Sequence, residues 1–284
     1  MMRVTIFGAR GSMATPGAAM ARYGGNTSTV EVRSDDDTLL VLDAGTGIRR
    51  LGEEISPDIA RVDILLTHLH MDHIQGLGFF RPLYDPKVEV HIWGPASSTL
   101  SLSGRLSRYL SPPLFPIHFR DLPYVVCHEV PRPTFAIGPF QIKTSLICHP
   151  DPTVGYRIEM EGSSFTYLPD HEPALCLSKG RWPEPAWISG YELALATDLL
   201  IHDAQYTDEE YKLRIGYGHS SYRHALEFAT LSNASEVITF HHDPSHDDAV
   251  LDQILKDSVR RLKPTCKVSG GYEGSVFDLS AKSS

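Results

Sequence analysis

Cysteine is scarce in this chain, and its pattern is unpaired. Four cysteines occur in 284 residues, Cys127, Cys148, Cys176 and Cys266, and no two form a CxxC. That spacing excludes a disulfide framework, and the thiols are expected to be reduced in a cytoplasmic protein. Basic residues are also short. Lys and Arg number 26 against 35 Asp and Glu, for a formal net charge of −9. A balance of that sign disfavours non-specific binding to nucleic acid or to an anionic membrane surface. No apolar run approaches the length of a membrane span. The opening MMRVTIFGARGS lacks the apolar stretch of a secretory signal. No membrane partner is expected.

What the chain has in quantity is a core. Hydrophobic residues make up 42% of it, enough for one large α/β domain, read as spanning residues 1–284. Short apolar runs alternate with amphipathic stretches. Strands are expected at Val4–Phe7, Thr27–Val32, Leu39–Leu42, Asp63–Leu66, Val88–Trp93, Phe140–Cys148, Leu199–His202 and Val237–Phe240, with a hairpin over Gly155–Glu159 and Ser164–Leu168. Helices are expected at Ile48–Glu54, Thr99–Tyr109, Ser189–Ala196, Ser221–Leu231 and Asp247–Leu262. The interleaving means an α/β architecture with buried sheets. A weak internal repeat supports two similar halves. LLVLDAGTG from Leu39 matches LLIHDAQYT from Leu199, and DILLTH from Asp63 resembles EVITFH from Glu236. It aligns Asp43 with Asp203 and His68 with His241.

The densest chemistry is THLHMDH, residues 67–73. His68 and His70 lie two apart just past a strand, so in extended geometry both rings point to one side and can meet one metal ion. Asp72 and His73 follow a turn and face a second ion. Imidazole nitrogen with carboxylate oxygen suits Zn²⁺, and also Mn²⁺ or Fe²⁺. The plainer reading, a merely hydrogen-bonded histidine cluster, fits a lone HxH better than this fuller pattern.

THLHMDH resembles the signature of the metallo-β-lactamase superfamily, and the resemblance extends from VTIFGARGS to the HHDP segment near residue 241. It implies a four-layer αβ/βα sandwich. It also implies one divalent ion held by His68, His70 and His149, a second held by Asp72, His73 and His241, and Asp170 bridging both. Asp43 would support the site from behind. Among neighbours of these positions, the repeat aligns His241 rather than His242 with His68. A carboxylate bridges two cations more readily than an imidazole, which favours Asp170 over His171. His246 is expected at a helix start. His91, His118, His128 and His224 are expected in packing, surface or hydrogen-bonding roles.

Two further motifs narrow the branch. IHDAQYTDEE, with Asp203, and GYGHSSY, with His219, resemble motifs of the tRNase Z and cyclic-phosphodiesterase branch. That resemblance implies a dyad in which His219 gives a proton to the leaving oxygen and Asp203 orients it. The plain alternatives are a helix cap by Ser220 or Ser221 and a structural turn at Asp203. Together with Asp72 these are the expected catalytic residues, acting on a phosphodiester attacked by hydroxide between two metal ions. No Lys/Arg-rich arm appears between the landmarks, so a small phosphodiester, such as a cyclic nucleotide, is expected rather than a large nucleic acid. The alternatives are an ester, thioester or lactone hydrolase on the same metals, and a non-catalytic metal-binding sensor. SPPLFPIHF, residues 111–119, could form an aromatic wall over the pocket, a homodimer contact, or ordinary loop packing.

Overall fold

A computed structural model of the chain describes residues 1–132 and 134–280. The first sheet is built from β1 (Met2–Gly8), β2 (Thr29–Ser34), β3 (Leu39–Leu42), β4 (Arg61–Leu65), β5 (Glu89–Pro95) and β6 (Val125–Val130). Helices α1 (Ile48–Glu54), α2 (Met71–Ile74) and α3 (Leu102–Tyr109) interrupt it. The second sheet takes β7 (Phe135–Ile137), β8 (Phe140–Ile147), β9 (Thr153–Met160), β10 (Ser163–Leu168), β11 (Leu199–Asp203), β12 (Glu236–Phe240) and β13 (Lys267–Gly270). Its helices are α4 (Tyr191–Ala194), α5 (Asp208–Lys212), α6 (Tyr222–Leu231) and α7 (Asp248–Leu262). The chain then returns to the first sheet as β14 (Val276–Leu279), antiparallel to β1. Each sheet has seven strands, ordered β14-β1-β2-β3-β4-β5-β6 and β13-β12-β11-β10-β9-β8-β7.

The strand sequences explain the layering. Leu39–Leu42 is apolar at every position because both of its faces are covered. Leu40 and Leu42 enter the core between the sheets, whereas Leu39 and Val41 enter a second core under α1 and α3. In the other half Leu199 and Ile201 face the inter-sheet core, and Leu200 faces the helices α6 and α7. The result is helix–sheet–sheet–helix, the expected four-layer sandwich.

At residue level the repeat is out of step in its first segment. Leu39 faces helices, but its aligned partner Leu199 faces the inter-sheet core. The parallel pairing shows the same offset: Leu40 pairs with Asp63, and Leu199 pairs with Glu236. A one-residue slip reverses the faces of a strand. Asp43 nonetheless reaches the site because it adopts a left-handed φ of 59° at the strand end. The second segment stays in step, with Leu65 and Ile238 both facing inward and Ile64 and Val237 both outward.

The loop at 111–119 packs as an ordinary part of the fold. Phe115 and Phe119 are buried under the first sheet, and Phe115 meets Phe79 edge-on at 5.8 Å. No helix among the described residues is long and apolar enough to cross a membrane.

Candidate metal centre

The candidate residues converge where strands of both sheets end. β4 stops at Leu65, and the chain carries His68 and His70 in extended backbone before α2 places Asp72 and His73 in its single turn. β8 delivers His149, β10 delivers Asp170, and β12 delivers His241. His68, His70 and His149 offer ligand atoms within 4.8 Å of one another, and Asp72, His73 and His241 form a second such group. Asp170 lies between them. Its Oδ1 is 3.0 Å from His73 Nε2 and 3.4 Å from His241 Nε2, while its Oδ2 is 3.7 Å from His68 Nε2.

Each imidazole has one nitrogen committed to an outer acceptor. His73 Nδ1–H donates to Asp43 Oδ2 at 2.8 Å, and His149 Nδ1–H donates to the Gly218 carbonyl at 3.0 Å. His241 Nδ1–H donates to Gln205 Oε1 at 3.1 Å, and the Gln205 amide nitrogen faces Ser12 Oγ and Asp243 Oδ2. Thr67 Oγ1 donates to Asp43, so it accepts from His68 Nδ1–H at 3.0 Å. His70 Nε2–H donates to Asp151 Oδ2 at 2.9 Å. The other nitrogen of each ring is therefore aimed inward at the centre, which is how outer hydrogen bonds orient metal-ligating histidines.

Inward ring nitrogens facing carboxylate oxygens suit a cation. His241 Nε2 and Asp72 Oδ2 face each other at 3.1 Å. His68 Nε2 is buried without a hydrogen-bond partner, and His73 Nε2 and Asp170 Oδ1 are buried facing each other at 3.0 Å. Buried polar atoms in that state are costly unless something binds them. The five-histidine, two-carboxylate set suits divalent zinc and, less specifically, manganese or iron.

The electrostatics agree. Burial alone would raise Asp170, but His241, His73 and His68 around it hold the carboxyl well below its ordinary range. Asp72 is lowered in the same way, against its burial, by His73 and His241. Burial depresses His68 and His149. His73 is the exception: burial pulls it down, but the carboxylates of Asp170, Asp72 and Asp43 outweigh that and push it up.

Beside this centre stands the expected dyad. His219 Nδ1–H donates to Asp203 Oδ2 at 2.7 Å, and its ring lies 4.8 Å from that of His241 and 5.4 Å from that of His149. Asp203 Oδ1 accepts from the backbone N–H of Gln205 and Ser220. Burial, reinforced by Asp170, pushes Asp203 up, and burial pulls His219 down.

The neighbouring histidines turn elsewhere. His171 bonds His202 at 3.0 Å and packs on Phe228. His242 Nε2–H donates to the Gly271 carbonyl, and His246 pairs with Glu210. His91 and His128 stack and bond each other on the first sheet. His224 stands beside Arg223 and Tyr211, and His118 sits half-buried before Phe119. The helix cap is Ser221, which accepts from the His224 N–H, while Ser220 Oγ donates to the His171 carbonyl.

The sequence reading missed Ser12, Thr67, Asp151, Glu172 and Gln205, which hold the ring of residues from outside. Each adjoins or lies near a recognised motif, but no residue type there signalled a role. Ser12 is held at φ 63° and donates its N–H to Asp72 Oδ2 at 2.7 Å. A depression of about 410 Å³ lined by Arg33, Asp37 and Arg61 lies at the opposite ends of β3 and β4. Its arginines are already paired with Glu31 and Asp63.

This chain is similar to known proteins along nearly its whole length. It is 26% identical to a ribonuclease Z of Thermoplasma acidophilum, covering 93% of each chain. Among solved structures, a diphosphatase of the PhnP family superposes with a TM-score of 0.69 at 20% identity, covering 97% of this chain and 96% of that one. The human short-form tRNase Z superposes with a TM-score of 0.66 at 21% identity, covering 98% and 99%. At such identity the two structures establish the fold. The model of the beta-lactamase superfamily domain matches residues 38–242, a span running from β3 to the histidines after β12. With that match, the chain belongs to the beta-lactamase superfamily and is a metal-dependent hydrolase.

Proposed function

We propose that this protein hydrolyses small phosphodiesters with two divalent ions, zinc in the first instance. One ion is held by His68, His70 and His149, the other by Asp72, His73 and His241, with Asp170 shared. The observation that carries this reading is the set of inward ring nitrogens, each oriented by an outer acceptor, around a carboxylate whose two oxygens face the two groups. When bound, such ions acidify water and neutralise charge on phosphoryl oxygens. The chain's own residues do the rest. Asp43, Gln205 and Gly218 keep the imidazoles in one tautomer. Asp203 accepts the His219 Nδ1–H, which leaves His219 Nε2 free to face substrate; in its imidazolium form, paired with the Asp203 carboxylate, the ring would deliver the Nε2 proton to the departing oxygen and end as neutral imidazole.

Similarity to a ribonuclease Z raises RNA as a substrate. The net charge of −9 and the lack of a Lys/Arg-rich arm support a small diester instead.

The test compares leaving groups. Purified protein is stripped with chelator, reloaded with Zn²⁺ or Mn²⁺, and assayed on bis(p-nitrophenyl) phosphate, on a cyclic nucleotide and on a tRNA precursor. Metal-restored turnover of the two small diesters is expected. His219→Ala should lose on the order of 100-fold or more on the cyclic nucleotide, whose alkoxide needs a proton. It should lose far less on the nitrophenyl ester, whose phenolate leaves unaided. Equal losses on both would remove the proton-donor role. Turnover of the precursor alone would shift the substrate to RNA. No turnover at full metal loading would turn attention to esters, thioesters and lactones.

A further inference from the structure

Beside the metal centre lies a buried carboxylate that neither a metal group nor the dyad uses. Glu172 follows Asp170 by two residues and has no exposed surface. Its Oε1 accepts from the Tyr211 hydroxyl at 2.9 Å and from the Gly216 N–H at 2.8 Å. Its Oε2 accepts from the Gly218 N–H at 2.7 Å. No lysine or arginine pairs with it among the described residues. Three donors from one loop region satisfy both carboxylate oxygens.

Beyond Glu172, the loop is held by its own turn, Tyr217 N–H to the Arg214 carbonyl, and by Arg214 over the Tyr206 ring. Leu213, Ile215 and Tyr217 are 82%, 58% and 62% exposed. Residues so exposed contribute almost no burial to fix the loop, so its position depends on polar tethers. Yet this loop carries two functions on adjoining residues. Gly218 gives its N–H to Glu172 and its carbonyl to His149 Nδ1–H. The next residue is His219. A ring of contacts closes through the Glu172 N–H, which donates to the carbonyl of Cys148, the residue before His149. Gly218 cannot be replaced within this ring. Its φ is 93°, and a Cβ there would stand 2.1 Å from His149 Nδ1 and 2.4 Å from Pro150 Cδ.

We propose that Glu172 is a positioning residue that sets, through the single residue Gly218, both the imidazole of His149 at the first metal group and the placement of His219. The proposal rests on the function proposed above for His149 and His219. It makes metal affinity and proton delivery move together, although Glu172 touches neither metal nor substrate.

Glu172→Gln is the sharpest test. The amide keeps the shape but turns a donor toward a backbone N–H, breaking the clamp at Gly216 or Gly218. Zinc affinity is measured on the purified full-length variant by competition with a chromophoric chelator, and kcat and KM on a cyclic nucleotide. One zinc equivalent is expected to bind about tenfold more weakly, with the other unchanged. Alongside it kcat should fall on the order of 30-fold while KM stays within about threefold, because binding groups are untouched. Tyr211→Phe removes one of the three donors and should move both quantities the same way by about threefold; it decides the matter should Glu172→Gln fail to fold. Zinc affinity and kcat equal to the parent's in a folded variant would overturn the proposal. So would a lower melting temperature with both quantities unmoved, since that marks a merely structural carboxylate. If the parent cleaves no phosphodiester while the variant still loses one zinc site, the phosphodiesterase reading fails and the tether to His149 stands. If the parent cleaves and neither quantity moves, the positioning role fails alone.

Discussion

At the scale of single residues, Asp43 shows how much of the centre is built from behind. Its two oxygens take the Thr67 N–H at 2.8 Å, the Thr67 hydroxyl at 3.0 Å, the Tyr167 hydroxyl at 3.0 Å and His73 Nδ1–H at 2.8 Å. Thr67 in turn holds His68. One buried carboxylate thus fixes the tautomers of two imidazoles that belong to different groups. Asp43→Asn would present an amide hydrogen to one of four donors. We expect it to weaken zinc binding by about 10- to 100-fold while the protein remains folded, read by chelator competition. Unchanged affinity would mean that the rings are held by packing alone. The seven candidate ligands were legible because histidine and aspartate at strand ends advertise themselves. Of their supports Asp43 was legible too, but Thr67, Gln205 and Glu172 were not, because they are ordinary residue types whose role exists only after the two halves meet. Glu172 closes the stretch FTYLPDHE, residues 165–172, but nothing in that stretch says that its partners lie at Tyr211 and Gly218, 39 and 46 residues away.

At the scale of elements, the strands with two covered faces were readable and the edges were not. Leu39–Leu42 and Val237–Phe240 announce themselves as apolar runs. Val125–Val130, Phe135–Ile137, Lys267–Gly270 and Val276–Leu279 do not, because they lie at or near sheet edges and are partly exposed. Their pairing, rather than their composition, makes them strands. Short α5 was also missed, although its capping box is explicit: Thr207 accepts from the Glu210 N–H, and the Glu210 carboxylate accepts from the Thr207 N–H. Thr99–Ser101 were expected in α3, but Ser101 caps it, accepting from the Gly104 N–H. Caps also set the helix after His219. Ser221 Oγ accepts from the His224 N–H and donates to Asp208 Oδ1 at 2.9 Å, joining α6 to α5. Ser221→Ala should cost about 1–2 kcal/mol and lower the melting temperature by a few degrees. Zinc stoichiometry should not change, since Asp203 is held by the Ser220 N–H rather than by the Ser221 side chain. A loss of zinc in this variant would show that the α5–α6 junction, and not the peptide at Ser220, sets the dyad.

At the scale of the whole molecule, two sheets of matching order enclose one apolar core, and histidines are buried well beyond the metal centre. His202, His224 and His242 are all but inaccessible to solvent. His202 Nδ1–H donates to the Asp203 carbonyl, and His242 Nε2–H donates to the Gly271 carbonyl. His224 Nε2 accepts from Arg223, so it carries no proton. Burial brings His202 down to about 4, His242 down to about 3, and, with Arg223 adding to it, His224 down to about 4. An unfolded histidine titrates near 6.5. Between the two values the unfolded chain binds more protons than the folded one, so stability rises with pH through this window. The contribution is complete above about pH 6.5 and drains away as the pH falls toward 4. For His224 alone the loss between about pH 7 and about pH 5 is about 2 kcal/mol, a sizeable part of a typical folding free energy. Urea unfolding with chelator present at both pH values separates this effect from release of metal. The parent should lose several kcal/mol on acidification. His224→Phe, whatever its own stability, should lose about 2 kcal/mol less over the same interval, because the group that titrates is gone. An identical pH dependence in parent and variant would mean that His224 is already charged in the folded protein, with Arg223 turned away from it. Acid sensitivity would then have to come from the metal centre.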